Sequence, residues 1–496
     1  MTTSSKLTDE SSHPSGLLAY DALPNHQDFD LMISDVKFTT DDRTDFYDHG
    51  LTGRRCALVG VACSSIFSCS CIVAGVVTLA NYGVSGQIII NMITNDSPIL
   101  LSLHAVILAL TLNLIVTLCT ESLGFIHGIS LRSALASESR LRFNTNLRLL
   151  TAARGWYNPN GALLNGISAV LLMVSYSSAS LVVWRSRPTM PLNNELSVSI
   201  AALPLLILGV ALLLQVLIAL SGMRAVKILT WSSSPFDLTA ALVRHTQLIP
   251  APFRCMRCVS DPDTYGGPAK PVETQPLRGM LTLASGKLSF LFGGSLQPSF
   301  PDALTPHTWS FLPNGFNSIV YLMPGANFVG WILLFVNIAV IQGPLTLGLH
   351  CSELIANVIR DERQWRCATG MKGLPFLHWM FGLAFNIHNN SQDEKLVLLV
   401  YMYTAQIWNL CIALFIFACF FTFVALRRPR GPQPAAYGHV QTLANLVDEW
   451  SPVMWWGHKE DGIPYCHAGT SDHPLPDVKM DRVYAGSGAG SPVPLS

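Results

Sequence analysis

The chain has 496 residues, half of them hydrophobic and only 12% charged, against about 25% charged in soluble proteins. Its 31 basic and 31 acidic residues cancel, which leaves no global basic field of the kind that binds nucleic acid. Twelve cysteines in so long a chain do not form the framework of a small disulfide-stapled domain.

Residues 1–55 are polar and acidic, with ten Asp/Glu and three Lys/Arg in the first 50. That composition cannot bury a core, and the segment reads as a disordered cytoplasmic tail without a signal peptide. Six charge-free apolar stretches follow, at Ala57–Ala80, Pro98–Thr120, Ala162–Val183, Ser197–Gly222, Ala326–Leu349 and Val397–Leu426. Each reaches the ~20 residues that cross ~30 Å of hydrocarbon. In lipid only a structure that closes its own backbone hydrogen bonds survives, so each stretch is expected to be a helix. The fold class is all-α, a polytopic transmembrane helical bundle of six spans with disordered termini. Spans one to four occupy residues 56–222, and spans five and six residues 326–426.

Between these blocks lies a hydrophilic loop, 223–325, rich in Pro and Gly. It reads as a compact cytoplasmic layer with short strands at Met280–Leu283 and Leu288–Phe292. Basic residues are retained on the cytoplasmic side. With six spans and both termini cytoplasmic, 24 of the 31 fall inside and seven outside. The misfit is 350–395, an external loop in this scheme that nonetheless carries Arg360, Arg363, Arg366 and Lys372. It also holds an apolar run, 374–387, short enough to lie in the interface or re-enter. If that run crosses, the count becomes seven and the amino end moves outside.

Residues 129–154 read as a basic helix beside the membrane. Its Arg132, Arg140, Arg142, Arg148 and Arg154 suit anionic lipid contact or simple compliance with the orientation rule. The cytoplasmic tail, 427–496, opens on a helical pattern of Val440, Leu443, Leu446, Val447 and Trp450, followed by Trp455 and Trp456. Tryptophan favours the headgroup zone, so this helix is expected to dock there. From about residue 465 the composition again suggests disorder.

No ionisable residue other than His104 lies in the spans, which argues against a proton-coupled pump. The uncharged polar side chains Asn113, Thr117, Gln215, Asn337, Gln342, Gln406 and Asn409 either converge on a solute path or bond neighbouring helices. Gly60, Ser64, Ser68, Cys71 and Gly75 form a small-residue stripe on span one, a helix-packing face. Cys255-x-x-Cys258 lacks the further ligands that structural zinc requires, so no metal or cofactor is expected. Cys351 and Cys367 face an oxidising compartment in the six-span scheme and could pair there. The usual hydrolase, nucleotide and dinucleotide motifs are missing, and no enzyme is expected.

Trp231-Ser-Ser-Ser-Pro-Phe-Asp237, Leu347-Gly-Leu-His-Cys-Ser-Glu-Leu354 running into Arg360-Asp-Glu-Arg363, and His467-Ala-Gly-Thr-Ser471 followed by Asp477-Val-Lys-Met-Asp481 resemble uncharacterised multi-pass membrane proteins of filamentous fungi. The resemblance implies a eukaryotic protein of the plasma membrane or an internal membrane. It implies no activity, ligand or catalytic residue. Two classes of function stay open, a passive transporter or channel-like protein, and a membrane organiser or receptor-like protein acting through its cytoplasmic loops and tail.

Overall fold

The computed structural model describes residues 50–83, 86–90, 98–144, 151–186, 197–261, 267–272, 318–323, 328–363, 385–392, 395–426, 433–451 and 453–485. Among the described residues, six helices are long and apolar enough to cross a membrane. They are α1 (Leu51–Tyr82), α2 (Pro98–Ser137), α3 (Ala162–Val182), α4 (Ala202–Arg224), α6 (Phe328–Arg363) and α7 (Thr404–Leu426). Two shorter helices, α5 (Pro235–Arg244) and α8 (Val440–Leu446), lie outside the spans.

The small-residue stripe of α1 is buried, with Ala57, Val61, Ser64, Ser68, Cys71, Gly75 and Thr78 turned inward. A Cβ on Gly75 would come within 2.9 Å of the Leu206 backbone, and one on Gly209 within 2.8 Å of the Ser68 carbonyl. The α1–α4 contact is therefore made backbone to backbone, as association without a hydrophobic driving force requires. Val116, Leu172, Tyr176, Leu208 and Leu212 fill the space between α2, α3 and α4. Trp331, Leu334 and Ile338 of α6 pack with Val106, Leu181, Leu203 and Leu410.

At the face where α1 ends, Gly83 caps the helix at φ 73° and donates to the Leu79 carbonyl, a left-handed conformation that favours glycine. Two antiparallel sheets occupy this distal face. One is β1 (Gln87–Ile90), β3 (Ser197–Ala201) and β2 (Val183–Ser186), with β3 central. The other is β4 (Ser318–Met323), β6 (Lys395–Tyr403) and β5 (Phe385–Gln392), with β6 central. β2 packs against β5, so the two sheets share one face. The starts expected for spans four and six are corrected accordingly, because Ser197–Ala201 and Lys395–Tyr403 are strands and the helices begin at Ala202 and Thr404. An apolar run by itself does not separate a buried strand from a helix. Here the flanking strands supply the ladder, in registers such as Tyr321↔Val400↔Ile387.

The opposite, proximal face holds the start of α1, where Gly50 abuts Trp231 and Ser232, and the carboxyl ends of α2 and α4. It also holds the carboxyl end of α6. Val358 packs there with Ala435, Tyr437, Cys258 and Val259, while the β4 strand that precedes α6 is distal. This reverses the expected direction of span five and corrects the external placement of Arg360 and Arg363. Their charges end on the same face as Arg132 and Arg140, as retention of basic residues demands. α2, α4, α6 and α7 thus all run from distal to proximal, and only α1 and α3 run the other way. The end of α4 and the start of α6 therefore lie at opposite faces, as do the end of α6 and the start of α7, and both described ends, Gly50 and Ala485, lie on one face. Residues 280–283, 288–292 and 374–384 lie outside the described residues, whereas 385–387 belong to β5 rather than to an interfacial helix.

This arrangement is directly measurable. In sealed vesicles, a membrane-impermeant maleimide is expected to find Ser186→Cys and Gln392→Cys on one side, and Arg363→Cys and Asp472→Cys on the other. Labelling of Arg363→Cys together with Ser186→Cys would reverse α6 and restore the alternating six-span path.

Candidate functional site

The proximal face is built by helices that overrun the spans. At 1.5 Å per residue the 40 residues of α2 extend about 60 Å, twice the hydrocarbon thickness, and its last turns bury Ile126, Ile129, Leu131 and Leu135. Inside this extension His127 Nε2 lies 2.7 Å from Asn165 Oδ1, and Asn165 donates to the Thr151 carbonyl. One turn on, Ser130 donates to Asn160 Oδ1 (2.9 Å), and Asn160 donates to the Gly222 carbonyl. These bonds seat the 151–161 loop in the mouth of the bundle.

Arg132 is the centre of the layer. It is buried and donates to Asn144 Oδ1 at 2.7 Å and to the Ser232 carbonyl at 3.1 Å. Asn144 in turn donates to the Ser233 carbonyl and, through its backbone, to the Gly438 carbonyl. One guanidinium therefore ties α2, the loop after α4 and the tail together, and its assignment to lipid contact is corrected. The helix expected over 129–154 also ends early, at Ser137. Ser139 adopts φ 55°, Arg140 N–H bonds the Leu135 carbonyl and Ser139 N–H the Ala136 carbonyl, the paired bonds of a Schellman stop. Arg140 pairs with Glu138 at 2.9 Å, Arg142 and Arg154 are exposed, and Arg148 lies outside the described residues.

Ser234 caps α5, with Pro235 in the first turn, both standard start features. α5 packs on α8 through Leu238, Leu242 and Val440. Val440, Leu443 and Leu446 are thus buried in protein, which corrects their docking into the headgroup zone. The tail beyond residue 465, expected to be disordered, folds as far as Ala485. β7 (Trp455–Glu460), β8 (Cys466–Ser471) and β9 (Tyr484–Ala485) form a sheet with β8 central. Its core combines Cys466, Ala468, Val478 and Tyr484 with Cys255 and Met256 of the distant loop. Ala269 and Tyr484 exchange both backbone bonds at 2.9 Å. Glu362, buried at the end of α6, accepts the backbone N–H groups of Ala436 (3.2 Å) and Tyr437 (2.8 Å).

Asp448 organises the sheet. Its carboxylate accepts from Thr470 N–H, from Lys459 Nζ at 3.0 Å and from His467 Nε2 at 2.8 Å. Burial opposes its charge, but the bonds from His467, Thr470 and Lys459 outweigh burial and hold the carboxyl well below the usual range. The same Asp448 bond raises the pKa of His467 against its own burial. His458 and Tyr484 meet at 2.9 Å beneath the sheet. Burial pushes the Cys255 thiol up to about 11 and raises that of Cys258, so both stay protonated and unreactive at neutral pH. Among the described residues no group of three or more His, Cys, Asp or Glu could hold a metal. Cys367 lies outside the described residues, and Cys351 sits on α6 with its side chain outside them.

Among the described residues, the polar side chains of the spans are spread over several separate contacts. Asn113 donates to Ala109 O and Thr117 to Asn113 O, both within α2. Gln215 crosses to α3, bonding Ser175 Oγ at 2.8 Å. Gln406 and Asn409 bond each other at 3.3 Å. Asn337 faces outward. Gln342 is fully buried with neither amide atom bonded, as are the hydroxyls of Thr346, one turn on, and Ser177. Ser177 lies one turn from Met173, which meets Gly343, so these groups share the α3–α6 seam. Neither Ser177 nor Thr346 stood out in the sequence, where hydroxyls are too common to discriminate. Glu362 and Asp448 were not singled out there either, because no local pattern marks a carboxylate that will be buried.

Fold and spans together define a multi-pass helical membrane protein with a folded polar layer on one face. No family model matches the chain, and neither does any curated protein or solved structure.

The Asp448–His467 pair makes the layer pH-dependent. The His467 contribution is fully present below its unfolded value of 6.5 and is lost as pH rises through the raised folded value. The Asp448 contribution is present above 3.8 and is lost as pH falls through its depressed folded value. Hydrogen-exchange protection over 455–485, corrected for intrinsic rates, is therefore expected to peak between pH 4 and 6.5 and to weaken on either side. Asp448→Asn should remove most of it. A flat profile would dismiss the pair.

Proposed function

We propose that the protein is a membrane organiser or receptor-like platform, with the proximal face and both termini in the cytoplasm of the plasma membrane or an endomembrane. The observation that supports this reading is the core that Cys255 and Met256 share with Cys466, Ala468, Val478 and Tyr484, two segments far apart in the chain that fold together and are fastened to α6 by Glu362. Such a layer is the natural place to bind a soluble partner. It exposes Ile249, Val453, Trp455 and Ile463, large apolar groups of the kind that mark interaction surfaces when they cluster. The resemblance to fungal multi-pass proteins belongs to the same reading, and no enzymatic step is assigned.

A photoreactive residue at Trp455 or Ile463 is expected to yield one discrete protein adduct in cells. Glu362→Gln, which weakens the fastening, should reduce its yield several-fold while leaving insertion intact. Adducts with lipid alone would refute the platform reading.

A second reading, passive passage of a small neutral solute, is favoured by Gln342, Thr346 and Ser177, whose unpaired polar atoms sit in a seam between helices. Leaving such a group unsatisfied costs about 1–3 kcal/mol. On the platform reading, Gln342→Leu removes that cost and raises the melting temperature in detergent, with solute entry into vesicles unchanged. A solute flux in wild-type vesicles that this substitution abolishes would favour passage instead.

A further inference from the structure

Asn337 is the tenth residue of α6 and lies within a turn of the middle of the apolar span Val329–His350. It is exposed on the outward face of the bundle and has no hydrogen-bond partner among the described residues. Other described polar side chains on outward faces are hydroxyls that bond their own helix, such as Ser70 to Ile66 O and Thr111 to Ile107 O, or sit at a span's end, such as Asn81. A carboxamide cannot be left this way in hydrocarbon. It carries two donors and an acceptor, and lipid tails satisfy none of them.

Around it, Val329, Ile332, Leu333, Val336, Val340 and Ile341 are exposed. Within this set Val329, Leu333, Val336 and Val340 are spaced four, three and four, the spacing of a seam along which two helices pack at a shallow left-handed angle. An outward face with this spacing and one central amide is built to meet another helix. We propose that α6 is the self-association face of the protein, where two copies meet about a twofold axis with Asn337 paired to Asn337 of the second copy. The occupant is a second copy because a carboxamide is self-complementary. Related by a twofold axis, each amide donates to the other's oxygen, and both are satisfied by one contact. The flanking valines and leucine then pack against their own equivalents, as an isologous interface requires.

The full-length protein, reconstituted in nanodiscs or lipid vesicles with trace fluorescent labelling, reports dimerisation by subunit counting. Dimers are expected, with Leu333→Cys crosslinking to its equivalent under mild oxidation. Asn337→Leu should weaken dimerisation by about tenfold, the scale of an interhelical polar pair in a membrane. Asn337→Gln keeps the amide and should restore most of the loss. The melting temperature of the Leu variant should not fall, because the side chain is exposed and makes no hydrogen bond among the described residues, so misfolding is separable from loss of association. A monomeric wild type, equal dimerisation of the Leu variant, or crosslinking through α1 at Ile66→Cys in place of Leu333→Cys would overturn the proposal.

Discussion

Hydrocarbon offers no hydrogen-bond partner, so each polar group that enters it must arrive already satisfied or stay at its edge. The distribution of structure in this protein follows from that constraint. Within the bilayer thickness the described backbone is helical. Among the described residues, open-edged strands lie outside that thickness, in two sheets at the distal face, where α1, α3, α4, α6 and α7 end or begin, and in the β7–β9 sheet of the proximal layer. Charged side chains that are buried, Arg132 and Glu362, lie at the proximal face and spend their charge on carbonyl oxygens, an amide or backbone N–H groups of the same chain. Burying a charge without such partners would cost several kcal/mol, so these residues bring loop and tail with them. The proximal layer exists because α2 and α6 carry polar ends beyond the span and those ends require partners.

The existence of six spans was legible because long charge-free runs have one stable form in lipid. Their limits were less so. Ser197–Ala201 and Val397–Tyr403 are as apolar as the helices they precede, and what makes them strands is pairing with segments elsewhere in the chain, which composition does not register. The direction of α6 was misread by counting forward through an unbroken alternation. Arg360, Arg363, Arg366 and Lys372 already contradicted that count. The charge rule, applied to that loop by itself, put Arg360 and Arg363 with Arg132 and Arg140, the face on which the structure holds them, and parity overruled it.

The tail shows a different limit. Its Pro, Gly and Ser content resembles that of disordered segments, yet Cys466, Ala468 and Tyr484 are buried. No local pattern announces a core whose other half, Cys255 and Met256, comes from about 200 residues earlier. The polar residues of the spans were identifiable by type, but their roles depend on the face they occupy. Asn337 and Gln342 are five residues apart, which turns them about 140° from one another around the helix. One therefore faces out of the bundle and the other its interior, so the same carboxamide chemistry stands on an exposed face in one case and in an unsatisfied seam in the other.

α6 joins these features mechanically. Its 36 residues extend about 54 Å, from the distal sheet to the tail that Glu362 holds. Pro344 removes one helical N–H near the middle, leaving a carbonyl without its usual donor, between the outward amide of Asn337 and the proximal end. A helix is stiff along its axis, so a force or constraint applied at the membrane centre reaches the proximal layer through few degrees of freedom. If α6 pairs as proposed and the layer fastened to its end binds a partner, the two would form one unit, and pairing of two copies would fix the spacing between their two layers. A monomer's tail would present one binding surface, whereas the paired form presents two at a fixed separation, which raises the effective concentration for any bivalent partner without new contacts.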